Sequence, residues 1–137
     1  MALLSLADKL ELHELVGRYG DAIDDRAWER LDHIFTGDAV FEVRGLDIVM
    51  NGLDEIKAFM DEAGDRHPQA HLMTNIYCFE KGGEVQLRCR GLFPEANTAA
   101  DDKSSVVYHG SYYDTVVKTA AGWRIRHRIY VRGRMND

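Results

Sequence analysis

The chain has 137 residues, 45% of them hydrophobic and 29% charged, with a formal net charge of −6. This is the composition of an ordinary soluble domain with a full core, a single domain over residues 1–137. The acidic balance excludes the basic face that nucleic-acid phosphates require, and no apolar run reaches the length of a membrane span.

The opening "MALLSLADKLELHEL" has no basic region ahead of a long apolar core, so it reads as the start of a helix rather than a targeting segment. Residues 6–24 then repeat at helical period. Leu12, Leu15, Val16, Tyr19, Ala22 and Ile23 share one face, and Glu11, Glu14, Arg18, Asp21 and Asp25 the opposite one. A short second helix is predicted at 26–35, turning Trp28, Leu31 and Phe35 inward. "TGDAVFEVRG" reads as a turn and a strand. A third short helix, Leu53 to Glu62, turns Ile56, Phe59 and Met60 inward before Gly64 and Pro68 end it.

From residue 69 the pattern changes to long strands, predicted at 70–80, 84–94, 104–118 and 122–133 and joined by "EKGGE", "NTAADDKS" and "KTAAG". The polar "NTAADDK" is expected to be a mobile loop. Cys78 and Cys89 lie in apolar strand-like runs with no CxxC and no metal spacing, which predicts buried thiols in a cytoplasmic protein. Helices first and strands afterwards give an α+β fold. Three helices of the N-terminal half are expected to close over a cone-like barrel of strongly curved, mixed or antiparallel sheet, leaving a pocket between.

Three aspartates crowd the end of the first helix. Asp21 and Asp25 fall on the solvated face, whereas Asp24 falls on a flank with His13, Gly17 and Gly20, where the two glycines leave room beside it. Asp24 or Asp25 is a favoured N-cap for the second helix, but capping needs only one of them. Tyr19 sits at the centre of the apolar face, where its hydroxyl either finds a packing partner or points into a pocket as a donor. In "HPQAHLMTNIYCF", alternation puts His71, Met73, Asn75, Tyr77 and Phe79 on one face, the mixture of apolar rings and polar handles that lines ligand pockets. His71 is a structural strand histidine or, paired with a buried carboxylate, a general base. In "GWRIRHRIYVRGRM", Trp123, Ile125, His127, Ile129 and Val131 share one face and Arg124, Arg126, Arg128, Tyr130 and Arg132 the other. Arg128 and Arg132 suit an anion-tolerant cavity, because their charge is permanent and their donors forked. The apolar set, Trp123, Ile125, Ile129 and Val131, is expected to need a covering partner. Pro68 separates His67 from His71, so no zinc pair is expected, and no phosphate loop or nucleophile elbow is present.

The segments "RYGDAIDDRAWERLDHIFTGDAVFE", "NGLDEIKAFM", "AHLMTN" and "GSYYDTVVKTAAGWRIRHRIYVR" together resemble the SnoaL-like superfamily of the nuclear-transport-factor-2-type fold. The resemblance covers nearly the whole chain and is nearest to the branch of scytalone dehydratase, bile acid 7α-dehydratase and hexachlorocyclohexane dehydrochlorinase. It implies a catalytic dyad of Asp24 and His71, with Tyr19 and a late arginine, Arg128 or Arg132, as assisting groups. Tyr112 falls on an aromatic position of the dehydrochlorinase site, and Tyr130 opens the "YVR" in which Arg132 matches the arginine of the bile acid enzyme. One departure is Ile23, where scytalone dehydratase has a tyrosine.

The expected activity is therefore a cofactor-independent lyase of the dehydratase type, with no metal. It would act by proton abstraction on a small cyclic apolar substrate such as a steroid, terpenoid or aromatic polyketide. Phe59, Met73, Asn75, Tyr77, Tyr112 and Tyr130 are the expected substrate contacts. An isomerase or cyclase using the same dyad, or a binding protein such as the small subunit of ring-hydroxylating dioxygenases, is the alternative. A homodimer or homotrimer is the expected assembly.

Overall fold

Ser5 and Asp8 open the first helix reciprocally: Ser5 Oγ accepts from the Asp8 backbone N–H and the Asp8 carboxylate from that of Ser5, each at 3.0 Å. In this computed structural model, which describes residues 4–96 and 105–135, helix α1 runs Leu6–Asp24, and its buried face is the one the period predicts, Leu12, Leu15, Val16, Tyr19, Ala22 and Ile23. The expected second helix is a 3-10 stretch, Trp28–His33, whose N-cap is Ala27 with no side-chain cap. The aspartates do not cap it because Arg26, at φ 56°, turns the chain between them and the new helix. Asp25 instead pairs with Arg30 at 2.9 Å.

The remaining elements are β1 (Phe35–Val43), β2 (Ile48–Asn51), α2 (Leu53–Ala63), a second 3-10 turn (Gly64–Arg66), β3 (Leu72–Lys81), β4 (Glu84–Ala96), β5 (Ser105–Thr119) and β6 (Gly122–Arg132). "NTAADDK" lies outside the described residues. The strands form one sheet in the order β2-β1-β6-β5-β4-β3. From β3 to β6 it is the predicted antiparallel meander, β1 adds parallel to β6, and β2 adds antiparallel to β1. The sheet is therefore mixed and curved but open, with β2 and β3 at its edges. At four residues, β2 is too short for its alternation to register in the sequence. Helix α1 packs against β3 and β6, and α2 against β1 and β2, so the core lies between the helices and the sheet. Both cysteines are free. No helix of the described residues is long and apolar enough to cross a membrane.

Two bulges reset the alternation on which the sequence reading depends. In β3 the register shifts between Thr74 and Tyr77, and Asn75 takes up the extra residue at φ 53°. Beyond it Ile76 and Cys78 pack on the core, while Tyr77 turns outward to 56% exposure. Asn75 and Tyr77 are thus not on the His71 face, contrary to expectation. In β6 a second shift lies opposite Thr115 and Val116. Trp123 and Ile125 are inward before it, at 6% and 0% exposure, and Arg128 and Tyr130 are inward after it. The expected apolar face of Trp123, Ile125, Ile129 and Val131 does not exist as one surface, since its first two members fill the core.

Candidate active site

The last turn of α1 and the start of β3 approach closely because residue 20 has no side chain. A Cβ at Gly20 would stand 3.0 Å from the His71 carbonyl oxygen and 3.2 Å from His71 Cβ. The approach brings the Asp24 carboxylate to His71 twice: the backbone N–H donates to Oδ2 at 2.9 Å and the ring Nδ1–H to Oδ1 at 2.7 Å. A carboxylate only accepts, so the proton sits on Nδ1, and Nε2 of the neutral ring keeps its lone pair. The two side chains are 20% and 6% exposed. Burial holds the His71 pKa below the usual histidine value, a fall that the bond to Asp24 and its charge oppose but do not reverse.

His71 faces a cavity of about 270 Å³ walled by Ile23, Phe41, Val43, Leu46, Phe59, Met60, Pro68 and Phe93, with Tyr19, His67, Tyr112 and Tyr130 as its other polar-tipped residues. The Tyr19 ring meets His71 edge-on at 6.2 Å between centroids and Tyr112 at 5.9 Å. Burial raises the Tyr19 pKa, against a lowering by Arg128, so the hydroxyl is a proton-bearing donor at neutral pH. His67 is fixed from the other side, its Nε2–H donating to the Met60 carbonyl at 2.9 Å. Burial lowers its pKa as well.

Arg128 is fully buried. Its Nε and Nη2 donate to the two carboxylate oxygens of Asp114, each at 2.8 Å. Its guanidinium carbon lies 4.2 Å from the Tyr19 ring centre and 4.3 Å from that of Tyr112, with Phe35 and Phe41 each at 5.9 Å. The fork matches the carboxylate, and the aromatic faces hold the rest of the cation. Arg128 therefore stands behind Tyr19 and Tyr112 rather than in the cavity wall.

A family model described as a SnoaL-like domain matches residues 4–129. The chain belongs to the SnoaL-like family. An uncharacterised protein of Mycobacterium tuberculosis is 30% identical to this SnoaL-like chain over 131 residues, covering 94% of this chain and 88% of that protein. Among solved structures, an NTF2-like protein with a cystatin-like fold from Novosphingobium aromaticivorans superposes with a TM-score of 0.81 at 23% identity, over 96% of this chain and 85% of the other. A candidate scytalone dehydratase from the same organism gives 0.73 at 21% identity, over 93% and 85%. These structural likenesses establish the fold.

Within this SnoaL-like domain the predicted site residues separate into three groups. Asp24, His71, Tyr19, Phe59, Tyr112 and Tyr130 gather in or directly behind the cavity wall. Met73 packs beneath Gly20, and Asn75 and Tyr77 stand outside because of the β3 bulge. Arg128 and Arg132, expected at one place, are apart: Arg128 is caged, while Arg132 reaches the rim of the cavity mouth and lies over the Tyr108 ring at 4.2 Å. Sequence reasoning missed His67 as a cavity residue, since a histidine before a proline in an irregular segment has no period to mark it. It also missed Asp114. Alternation places Asp114 on the face of Tyr112, but counting back from the β5–β6 turn pairs it with His127; only the bulge brings Arg128 opposite. Among the described residues, no group of three or more His, Cys, Asp or Glu side chains is arranged to hold a metal ion.

Proposed function

We propose that this SnoaL-like protein is a cofactor-independent lyase of the dehydratase type. The observation that carries the reading is the 2.7 Å bond between Asp24 and the Nδ1 of His71 at the wall of an apolar cavity. His71 Nε2 takes a proton from a substrate carbon, and the electron pair of that C–H bond becomes the new carbon–carbon π bond. The neighbouring C–O bond breaks, and its oxygen leaves as water on receiving the Tyr19 phenolic proton. Water returns the proton from His71 to the tyrosinate and completes the cycle. Asp24 holds the tautomer and stabilises the imidazolium. Arg128, stacked on the Tyr19 ring, stabilises the transient tyrosinate without touching substrate. Such general acid–base assistance contributes about 10²–10⁴-fold.

The predominantly apolar walls suit a cyclic substrate of the steroid, terpenoid or polyketide type. A cytoplasmic setting, supported by the two free thiols, and a homo-oligomer belong to the same proposal. What supports assembly is the cross-strand pair Leu72 and Leu92, 55% and 41% exposed on the sheet edge region. The test is a panel of hydroxylated cyclic compounds incubated with enzyme and followed by mass spectrometry for loss of water. Turnover that persists unchanged in both Asp24→Asn and His71→Gln would overturn the reading. Tight binding across the panel with no turnover would favour a non-catalytic pocket protein instead.

A further inference from the structure

The inner cavity opens into an outer hollow of about 370 Å³, and the two share Val43, Leu46, Pro68, Phe93 and Tyr130. The rim of the outer hollow carries Arg44 and Arg132. Val43 pairs with Tyr130 in register, so the two arginines emerge at the same end of neighbouring strands β1 and β6. In a chain of net charge −6, two permanent cations at the mouth of an apolar cavity are a local reversal of sign. Four other arginines are paired with carboxylates: Arg18 with Glu14, Arg30 with Asp25, Arg126 with Glu84 and Arg128 with Asp114. Among the described residues neither Arg44 nor Arg132 has a carboxylate within ion-pair distance. Arg132 stacks on Tyr108 at 4.2 Å, and Arg44 Nη1 donates to the Met135 sulfur at 3.0 Å. Stacking leaves the edge N–H groups of a guanidinium available, and sulfur is a weak acceptor that an anion displaces.

The inner end has the opposite character. Arg128, behind Tyr19, is matched by Asp114, Arg26 and Arg66 lie on the far side of His67 and donate to backbone carbonyls, and the carboxylate of Asp24 lies just behind His71. An anionic group is therefore disfavoured beside the dyad and favoured at the mouth. We propose that the ligand is an amphipathic anion, with an apolar ring system in the inner cavity and a carboxylate or phosphate held at the rim by Arg44 and Arg132. The His71 ring is 5.0 Å from Phe93, and Phe93 is 6.0 Å from Tyr130. Arg132 lies two residues further along β6, about 7 Å of strand. The rings of Phe93 and Tyr130 thus stand between the dyad and the rim arginines, which places the anion and the reacting carbon at different ends of the ligand. This inference rests on the lyase reading only for what happens to the ring; the mode of binding does not require turnover.

The test uses the full chain and three probes with one ring system: 4-(2-naphthyl)butanoate, its primary amide, and 4-(2-naphthyl)butyl phosphate, titrated by calorimetry at low and high salt. The expected result is that an anionic probe binds roughly tenfold to a hundredfold tighter than the amide. High salt reduces that advantage, and Arg44→Gln and Arg132→Gln each diminish it while leaving amide binding unchanged. The order of the carboxylate and the phosphate identifies which anion the mouth prefers. Equal affinity for anion and amide, an advantage indifferent to both arginine variants, or no binding of any probe below millimolar concentration overturns the inference. Asp24→Asn is expected to leave the anion-to-amide ratio intact, so failure of the dyad chemistry and failure of the mouth are read separately.

Discussion

Asp24 grips His71 by both its backbone and its ring, at 2.9 Å and 2.7 Å. One carboxylate thereby sets where the imidazole stands and which nitrogen carries the proton. Asp24→Asn leaves one acceptor oxygen for two N–H donors and removes the charge that stabilises the imidazolium, so position and tautomer are no longer held together. Turnover of the substrate found by the panel is expected to fall about 10²–10⁴-fold in Asp24→Asn and in His71→Gln. Since the two act as one unit, the double variant should be little worse than either single one. Strictly multiplicative losses in kcat would contradict a shared role.

A second expectation concerns pH. Burial keeps the His71 pKa below the ordinary histidine value, so the free base dominates at neutral pH and the activity limb should rise at a pH below about 6.5. Asp24 pulls the pKa upward, so in Asp24→Asn the ring titrates lower still. Titration of the imidazole by NMR reads both values. A midpoint above the ordinary histidine value in the native protein would contradict the lowering by burial.

The same histidines govern acid stability. The folded pKa values of His67 and His71 lie below the unfolded one, so as pH falls through about 6.5 the unfolded chain takes up protons first. Their contribution is complete above that pH and declines below it. Urea unfolding at pH 7.5 and pH 5.5 should show the loss, and His67→Gln should reduce the difference. An unchanged difference in that variant would assign the acid sensitivity elsewhere.

The buried pair of Arg128 and Asp114 is the costliest place to cut. Asp114→Asn leaves a desolvated guanidinium without its carboxylate, and unfolding experiments should register a loss of about 3–5 kcal/mol. Replacing both partners, as Asp114→Leu with Arg128→Met, should cost less than Asp114→Asn alone. A single-variant loss under 1 kcal/mol would mean that the aromatic rings alone hold the cation.

Gly20 is a spacing device. Gly20→Ala would put a methyl group against the backbone of His71, 3.0 Å from its carbonyl oxygen, and the strand cannot yield as a side chain can. A destabilisation of about 1–3 kcal/mol is expected, together with a disturbed imidazole signal. Native-like stability and an unaltered His71 resonance would show that the helix and strand have slack.

Where the fold follows period and capping, the sequence is enough. The buried face of α1 is the one read from its spacing, and the meander from β3 to β6 follows its turns to within a few residues. Asp24 separates from Asp21 and Asp25 by the same count. Legibility ends where one inserted residue shifts a strand: Tyr77 and Asn75 leave the pocket, and Trp123 and Ile125 enter the core. Neither shift leaves a mark in composition, because a bulge is decided by the partner strand. The cage around Arg128 was hidden for the same reason, since Asp114 meets it only across the shifted register. His67 was hidden by irregularity, and β2 by brevity.

The two bulges have an evolutionary corollary. Each behaves as a parity switch within a continuous strand, so β6 can lay an apolar foundation with Trp123 and Ile125 and then bring Tyr130 and Arg132 to the ligand, with Arg128 caged behind the cavity wall. A single-residue insertion or deletion ahead of such a point exchanges the inner and outer side chains of half a strand in one event. Point substitution alters the lining of such a pocket by degrees, whereas a shifted bulge rewrites it wholesale while the hydrogen-bonded sheet persists.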